Sequence, residues 1–345
     1  MVLVNFPGSW SSIYPNLLHA KEIGFTIADL VFPIFLWTVG FSIQLSLERH
    51  ASETKSRFLV KLLIRFFLLF LCGIFLSLFP KWDFEAFRIP GVLQRIAFCY
   101  LITALLFRFL SFSYAISISS GIALLFICIN RFVIIDENGF DFLCEYIPIE
   151  QSVGANFDRF IFGNHLWKES KLYDPEGLVT SVCALLTVNL GLVANRLQKI
   201  KLTEWKKMFF PISYLILGLA ISLIFPISKL NWSLSFILIS AGIVEIIYKI
   251  FHQMDHRLRE SASGIKFILQ LLYGEMGRYA LALFFFTGVI ARTKIFANGR
   301  SELFNILKHF TVDARLASLL FSIFVYFILI LFFQIRKKIQ NGILA

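Results

Sequence analysis

The chain has 345 residues, of which 58% are hydrophobic and only 16% charged, with a mean hydropathy of +0.76. A soluble domain carries about 25% charged residues, so composition excludes that class and indicates a polytopic membrane protein. The formal net charge of +11 would suit a nucleic-acid binder, but the basic residues cluster in short connections between apolar runs, the pattern of the positive-inside rule.

The chain opens on Met1-Val-Leu-Val-Asn5, apolar but too short to span a bilayer, which runs straight into Phe-Pro-Gly-Ser-Trp10. No basic n-region precedes it, so a signal peptide is not indicated, and the segment reads as the truncated remnant of an N-terminal helix. His19 and Asp29 follow, a histidine ahead of an acid that opens the first membrane helix. Imidazole acts as base or nucleophile near neutral pH, and a carboxylate at a membrane boundary is costly enough to need a partner or a task.

About 20 apolar residues cross the hydrocarbon core. Windows of that kind lie at 25–47, 58–79, 91–111, 113–130, 177–195, 208–226, 231–251, 274–291 and 314–335. The expected fold is therefore all-α, a polytopic helix bundle of about nine full transmembrane helices plus the N-terminal remnant, forming one domain over 1–345. Basic clusters at Arg49/Lys55/Arg57, Arg196/Lys199/Lys201/Lys206/Lys207, Arg257/Arg259/Lys266 and Arg336/Lys337/Lys338 follow alternate spans. That assigns these loops and the C-terminus to the cytoplasm and residues 1–24 to the outside. The long, polar segment 131–176 is then extracytoplasmic, and loops of such length usually carry function or are disordered.

On this topology Asn5, His19, Asp29, Arg88, Arg95, His165, Asp174 and Glu176 converge on one membrane face, and convergence of acid, base and cation marks a candidate site. Asp29 lies about one helical turn inside its span and Arg95 slightly deeper in another that enters from the same face, so an ion pair between them is geometrically reasonable. That pair either locks two helices together or serves catalysis. His165, beside Trp167, is a second base, a sugar contact or a packing residue. Asp174-Pro-Glu-Gly177 reads as a helix start, with Asp174 as N-cap, Pro175 in the first turn and Glu176 at the positive helix end.

Elsewhere the pattern is structural. Glu245, Glu275 and Arg278 read as bundle stabilisers, with contact to an anionic cofactor as the alternative for Arg278, and His50, His252, His256 and His309 as solvated side chains with no metal-ligand spacing. Cys72, Cys99, Cys128, Cys144 and Cys183 are scattered without a CxxC, so neither a zinc site nor a redox pair is indicated. Walker A, GxGxxG, GxSxG and HExxH motifs are absent from the sequence.

Six stretches together resemble the membrane acyltransferases related to lysosomal heparan-alpha-glucosaminide N-acetyltransferase, over nearly the whole chain. They are Val4-Asn-Phe-Pro-Gly-Ser-Trp10, Leu18-His-Ala20, Gly24-Phe-Thr-Ile-Ala-Asp-Leu-Val-Phe-Pro33, Gly40-Phe-Ser-Ile43, Arg88-Ile-Pro-Gly-Val-Leu-Gln-Arg95 and Asp174-Pro-Glu-Gly177. The resemblance implies a transferase with acetyl-CoA as donor, an amino sugar or envelope glycan as acceptor, and no metal. It matches His19 to the histidine assigned to acetyl transfer and Asn5 to an asparagine placed near it; His19 would carry the acetyl group or deprotonate the acceptor amine. Asp29 would then orient the imidazole, a use that competes with the Arg95 pair. Expected partners are the lipid bilayer of a bacterial-type inner membrane, acetyl-CoA and the acceptor, with a homo-oligomer left open and nucleic acid excluded.

Two features depart from that family's pattern. Relatives carry a complete first helix with an Arg-Gly signature ahead of the stretch matched by Val4-Asn5, and an asparagine near Gly277-Arg278-Tyr279-Ala280. The rival reading is a transporter or flippase for a small anionic or sugar-linked solute bound by Arg88, Arg95 and Asp29. Secondary transporters usually show internal repeats and Gly/Pro-broken helices, and the sequence shows neither.

Overall fold

Apolar runs closed by small polar residues set the helix limits in the computed structural model, which describes residues 1–136, 139–142, 145–260, 277 and 279–343. The Thr54 hydroxyl starts one helix by accepting from the Arg57 N–H at 3.5 Å, and Ser152 starts another by accepting from the Ala155 N–H at 3.2 Å. The described residues form two compact units, one of Met1–His19, Thr26–Ala28 and Lys249–Ala345, the other of Ala20–Phe25 and Asp29–Tyr248.

The larger unit holds α2 (Val31–Arg49), α3 (Lys55–Leu78), α4 (Val92–Phe109), α5 (Phe112–Phe132), α6 (Val153–Phe162), α7 (Leu178–Lys199) and α8 (Glu204–Ile221). It also holds the part of α9 (Leu234–Glu260) that runs through Tyr248. Helix α7 is its centre: 78% of its membrane-length window is buried, and it packs against α2, α4 and α5. In lipid the hydrophobic effect does not drive helices together, so close backbone approach and polar cross-links must. Both are present on α7. A Cβ at Gly40 of α2 would lie 1.9 Å from the Val188 carbonyl oxygen, and one at Gly191 would lie 2.0 Å from that of Trp37. Asn189 Nδ2 donates to the Ser119 and Ser120 hydroxyls of α5 at 2.9 and 3.0 Å, and Asn195 Nδ2 to the Phe41 carbonyl of α2 at 3.1 Å.

Between α5 and α6 the expected long loop contains a two-stranded antiparallel hairpin, β1 (Val133–Asp136) and β2 (Gly139–Phe142), with Val133 opposite Phe142. The smaller unit contains α1 (Val2–Asn5), α10 (Ala280–Ala291), α11 (Lys294–Phe310) and α12 (Ala314–Ile343). Its N-terminal segment is sewn onto α12, where Ser9 N–H donates to Ser318 Oγ at 3.1 Å and Ser322 Oγ to the Phe6 carbonyl at 2.8 Å.

Among the described residues seven helices are long and apolar enough to cross a membrane, or eight if α10 and α11, bent by 84°, form one span. Nine full spans are not shown among the described residues. The window expected at 208–226 is occupied by α8, whose first turn carries Glu204, Lys206 and Lys207. Of the window expected at 274–291 the described residues include α10, whose 12 residues reach about 18 Å of a core about 30 Å thick. Glu275, Arg278, Lys266 and Cys144 lie outside the described residues, as do the side chains of His256, Arg257, Arg259, Arg336, Lys337 and Lys338.

The glycine contact makes a direct prediction. Gly191→Val should force α2 and α7 apart and lower stability by about 1–3 kcal/mol or more, read as a fall in the thermal unfolding temperature in detergent. Gly121→Ala, with nothing within 4 Å of its Cβ, should be neutral; equal behaviour of the two variants would refute the close α2–α7 contact.

Candidate functional site

The turn between α3 and α4 carries Arg88, and three hydrogen bonds and a ring contact hold that turn. The Arg88 N–H donates to Ser77 Oγ at 2.7 Å and the Ile89 N–H to the His165 carbonyl at 2.9 Å. His165 Nδ1 lies 2.8 Å from the Phe87 carbonyl, while its ring sits 4.6 Å from that of Phe87. The imidazole thus joins two loops. From this fixed turn the Arg88 guanidinium grips both acids of Asp174-Pro-Glu176: Nε donates to Asp174 Oδ2 at 2.8 Å, and Nη2 bonds Asp174 Oδ1 and Glu176 Oε2. Asp174 Oδ1 also accepts the Glu176 N–H at 2.9 Å, which folds the turn back on itself.

Arg95, one turn inside α4, is 1% exposed. Its Nη2 donates to the Pro175 carbonyl at 2.6 Å and to Thr180 Oγ1, and its Nε to Ser181 Oγ at 3.0 Å. The guanidinium lies beside two aromatic rings that meet each other edge to face, 4.8 Å from the centre of Trp232 and 5.4 Å from that of Phe32, an arrangement that suits a desolvated cation. Among the described residues Nη1 is buried without a hydrogen-bond partner, a donor chemically suited to a carbonyl or carboxylate oxygen. Trp232 itself holds a left-handed backbone, φ 49°, and donates Nε1 to Thr187 Oγ1 at 3.1 Å.

Asp29 is fully buried and takes Lys229 as its ion-pair partner, at 3.5 Å, rather than Arg95. It also accepts the N–H of Ala20, the residue after His19, at 3.2 Å. The expected helix cap is likewise displaced. Asp174 is committed to Arg88, and the α7 start is capped instead by Asp158 of α6, which accepts the Leu178 N–H at 2.8 Å. Gly177 is required there, because a Cβ would meet Asp158 Oδ2 at 1.6 Å.

Electrostatics follow from this geometry. Burial works against the Arg88 charge, but Glu176 and Asp174 outweigh it and make the guanidinium more basic than an exposed one. Burial also opposes the charge of Glu176, yet Arg88, Arg95 and Lys229 hold its carboxyl below the usual range. Lys229 is shifted the other way, since burial lowers its pKa more than Glu176 and Asp29 restore. Burial, with Asp174 adding to it, pushes the Asp158 carboxyl up to about 7.

The structure thus joins Arg88, Arg95, Asp174, Glu176 and, through its carbonyl, His165, within one unit. Asn5 and His19 belong to the smaller unit, where Asn5 is partly buried at the end of α1, His19 is exposed, and the Leu18 carbonyl accepts from Thr26 Oγ1 at 2.7 Å. Sequence reasoning missed Asp158, Lys229 and Trp232. A lone lysine between two apolar windows was the signal for Lys229; the other two had none, because nothing local says what they face.

Asp158 gives a pH prediction. Its folded pKa of about 7 exceeds the ordinary 3.8, so between those values the native state holds a proton that the unfolded chain has released. Stability should therefore fall as pH rises through that window. Asp158→Asn keeps an oxygen acceptor for Leu178 and should flatten this slope in thermal unfolding from pH 5 to 8; an unchanged slope would assign the titration to another group.

No family model matches the chain. Heparan-alpha-glucosaminide N-acetyltransferase of Mus musculus is 28% identical over 298 residues, which covers 69% of this chain and 44% of the mouse protein. That of Homo sapiens is 43% identical over 116 residues, covering 31% of this chain and 16% of the human protein. The chain therefore spans less than half the length of these curated relatives. It is a distant homologue of heparan-alpha-glucosaminide N-acetyltransferase.

Proposed function

We propose that the chain is a membrane acetyltransferase that passes an acetyl group from cytosolic acetyl-CoA to an outward-facing amino sugar or envelope glycan. The observation that carries this reading is the buried charge cluster: Arg88-Ile-Pro-Gly-Val-Leu-Gln-Arg95 and Asp174-Pro-Glu-Gly177, two of the six stretches that resemble the acetyltransferases, close on each other through Arg88 and Arg95. Charges buried at a membrane edge are retained for a pathway, a binding site or a structural lock, and the distant homology favours acyl transfer.

His19 is the acetyl-handling residue of this proposal. In one route its imidazole attacks the thioester carbonyl, CoA leaves as the thiolate, and the acceptor amine then takes the acetyl group from the imidazole nitrogen. In the other the imidazole removes the amine proton as the C–N bond forms and the C–S bond breaks. Asn5 donates to the oxyanion in either case. Arg88, Arg95, His165, Asp174 and Glu176 shape the binding surface, and Asp29 fixes the chain beside Ala20. No metal enters either route.

The proposed topology has nine spans, with the apolar windows at 208–226 and 274–291 as the two additional crossings. Residues 1–24 lie outside and the C-terminus in the cytoplasm. This orientation is supported by the end of the larger unit opposite the charge cluster. There Arg108 Nη2 donates to the Glu53 carbonyl at 2.5 Å and Lys199 pairs with Glu48, so the basic ends of α4 and α7 meet beside the α2–α3 turn.

The test is transfer of label from acetyl-CoA by the purified full chain, with and without glucosamine-type acceptors. Wild type should release CoA and label an amino sugar, and His19→Ala should be slower by about 10²–10⁴-fold with an unchanged unfolding temperature. A labelled His19 peptide after incubation without acceptor selects the covalent route. An active His19→Ala protein, or a wild type that transfers to no amine, would refute the proposal.

A further inference from the structure

Helix α11 has an unusual character for a segment between two membrane helices. None of its residues is buried, and it leaves α10 at a bend of 84°. Around the helix the side chains sort into three strips. Phe296, Arg300, Leu303, Phe304 and Leu307, spaced as one helical face, are partly buried. Within the smaller unit the Phe296 ring meets Phe6 at 5.6 Å and Phe321 at 6.3 Å, and the Phe304 ring abuts Gly8. A second strip is apolar and bare: Ile295 is 86% exposed, Ile306 53% and Phe310 84%. Lys294, Asn298, Ser301, Asn305 and Lys308 make the third, with His309 and Glu302 at its edge.

This is neither a water-facing surface nor a span. Isoleucine and phenylalanine this exposed are not left to water without a partner surface. Lys294, Arg300, Glu302 and Lys308 within one helix, on the other hand, are unsuited to the hydrocarbon core. A helix lying in the headgroup plane satisfies both, with its apolar strip at the acyl boundary and its lysines among phosphates. Its ends fit the same placement, since Thr293 caps it two residues after α10 ends and the membrane helix α12 begins at Ala314, four residues after it ends.

We infer that α11 is an interfacial helix that binds the bilayer surface and prefers anionic phospholipid headgroups, which Lys294 and Lys308 recognise by charge while Ile295, Ile306 and Phe310 supply the insertion. The occupant of the bare strip is lipid rather than a second copy of the chain, because its apolar side chains adjoin a cationic strip that a like-charged copy would repel.

Hydrogen–deuterium exchange of the full chain in nanodiscs tests this directly. Amides of 294–310 should exchange several-fold more slowly in discs containing phosphatidylglycerol than in phosphatidylcholine alone. Lys294→Gln/Lys308→Gln should remove that difference between lipids. Ile295→Ser/Ile306→Ser/Phe310→Ser should remove protection in both lipids, while the exchange of α12, which monitors folding, stays as in wild type. Exchange that is fast and equal in both lipids for wild type would overturn the inference. So would protection that appears only in discs holding two copies of the chain, since the strip would then be a self-association surface.

Discussion

A guanidinium taken out of water at a membrane edge must be matched at once, and the larger unit is organised around a buried one, Arg95, and a partly buried one, Arg88. Arg88 closes on the side chains of Asp174 and Glu176, while Arg95 closes on the Pro175 backbone and the Thr180 and Ser181 hydroxyls of the same turn. One short turn is therefore clamped by its carboxylates from outside the bundle and by its carbonyl from inside. Removing one partner of a buried pair typically costs about 3–5 kcal/mol, because the other charge is left uncompensated. Four elements then depend on one cluster: α4 carries Arg95, α7 starts at the turn, α2 supplies Phe32, and the segment ahead of α9 supplies Trp232.

Helix α7 shows how the cluster is transmitted through the bundle. Its first turn is set by Asp158 and Arg95, its middle by backbone contact with α2 at Gly191, and its last turn by the Lys199–Glu48 pair. Three fixed heights along one helix leave little freedom of register. A shift of α7 by one residue would break the glycine contact and turn Asn189 and Asn195 from their partners, so the charge cluster and the apolar packing specify the same arrangement.

Much of this was legible in the sequence because it depends on local pattern. Apolar length located seven membrane helices within a few residues, and the convergence of Arg88, Arg95, Asp174 and Glu176 follows from assigning their segments to one face. Pairing was less legible. The Asp29–Arg95 pair was a reasonable inference from depth alone, but Lys229 reaches Asp29 from a loop about 200 residues away, and no periodicity encodes that encounter. The cap followed the same logic: Asp174 has the right residue type at the right spacing, yet a stronger partner, Arg88, takes it, and Asp158 fills the vacancy from another helix. Span count was less legible for a related reason, since a window average over 208–226 does not weigh the charges in the first turn of α8.

Arg95 is the residue for which chemistry and position constrain each other most. An ammonium there would have one point of charge and would need oxygen atoms arranged around it, whereas the guanidinium fork reaches three oxygens and lies against the rings of Phe32 and Trp232. The strained φ of Trp232 is consistent with this demand, because the indole must reach the guanidinium while its Nε1–H reaches Thr187. Such strain persists only where the surroundings over-determine it, and it gathers at functional sites. The carboxylates that balance the Arg95 charge bind Arg88 directly. The inner cation is therefore held by neutral oxygens and aromatic rings, while the carboxylates of the same turn are taken by Arg88. The two guanidiniums divide the turn between them, so exchanging their partners would leave a charge unmatched.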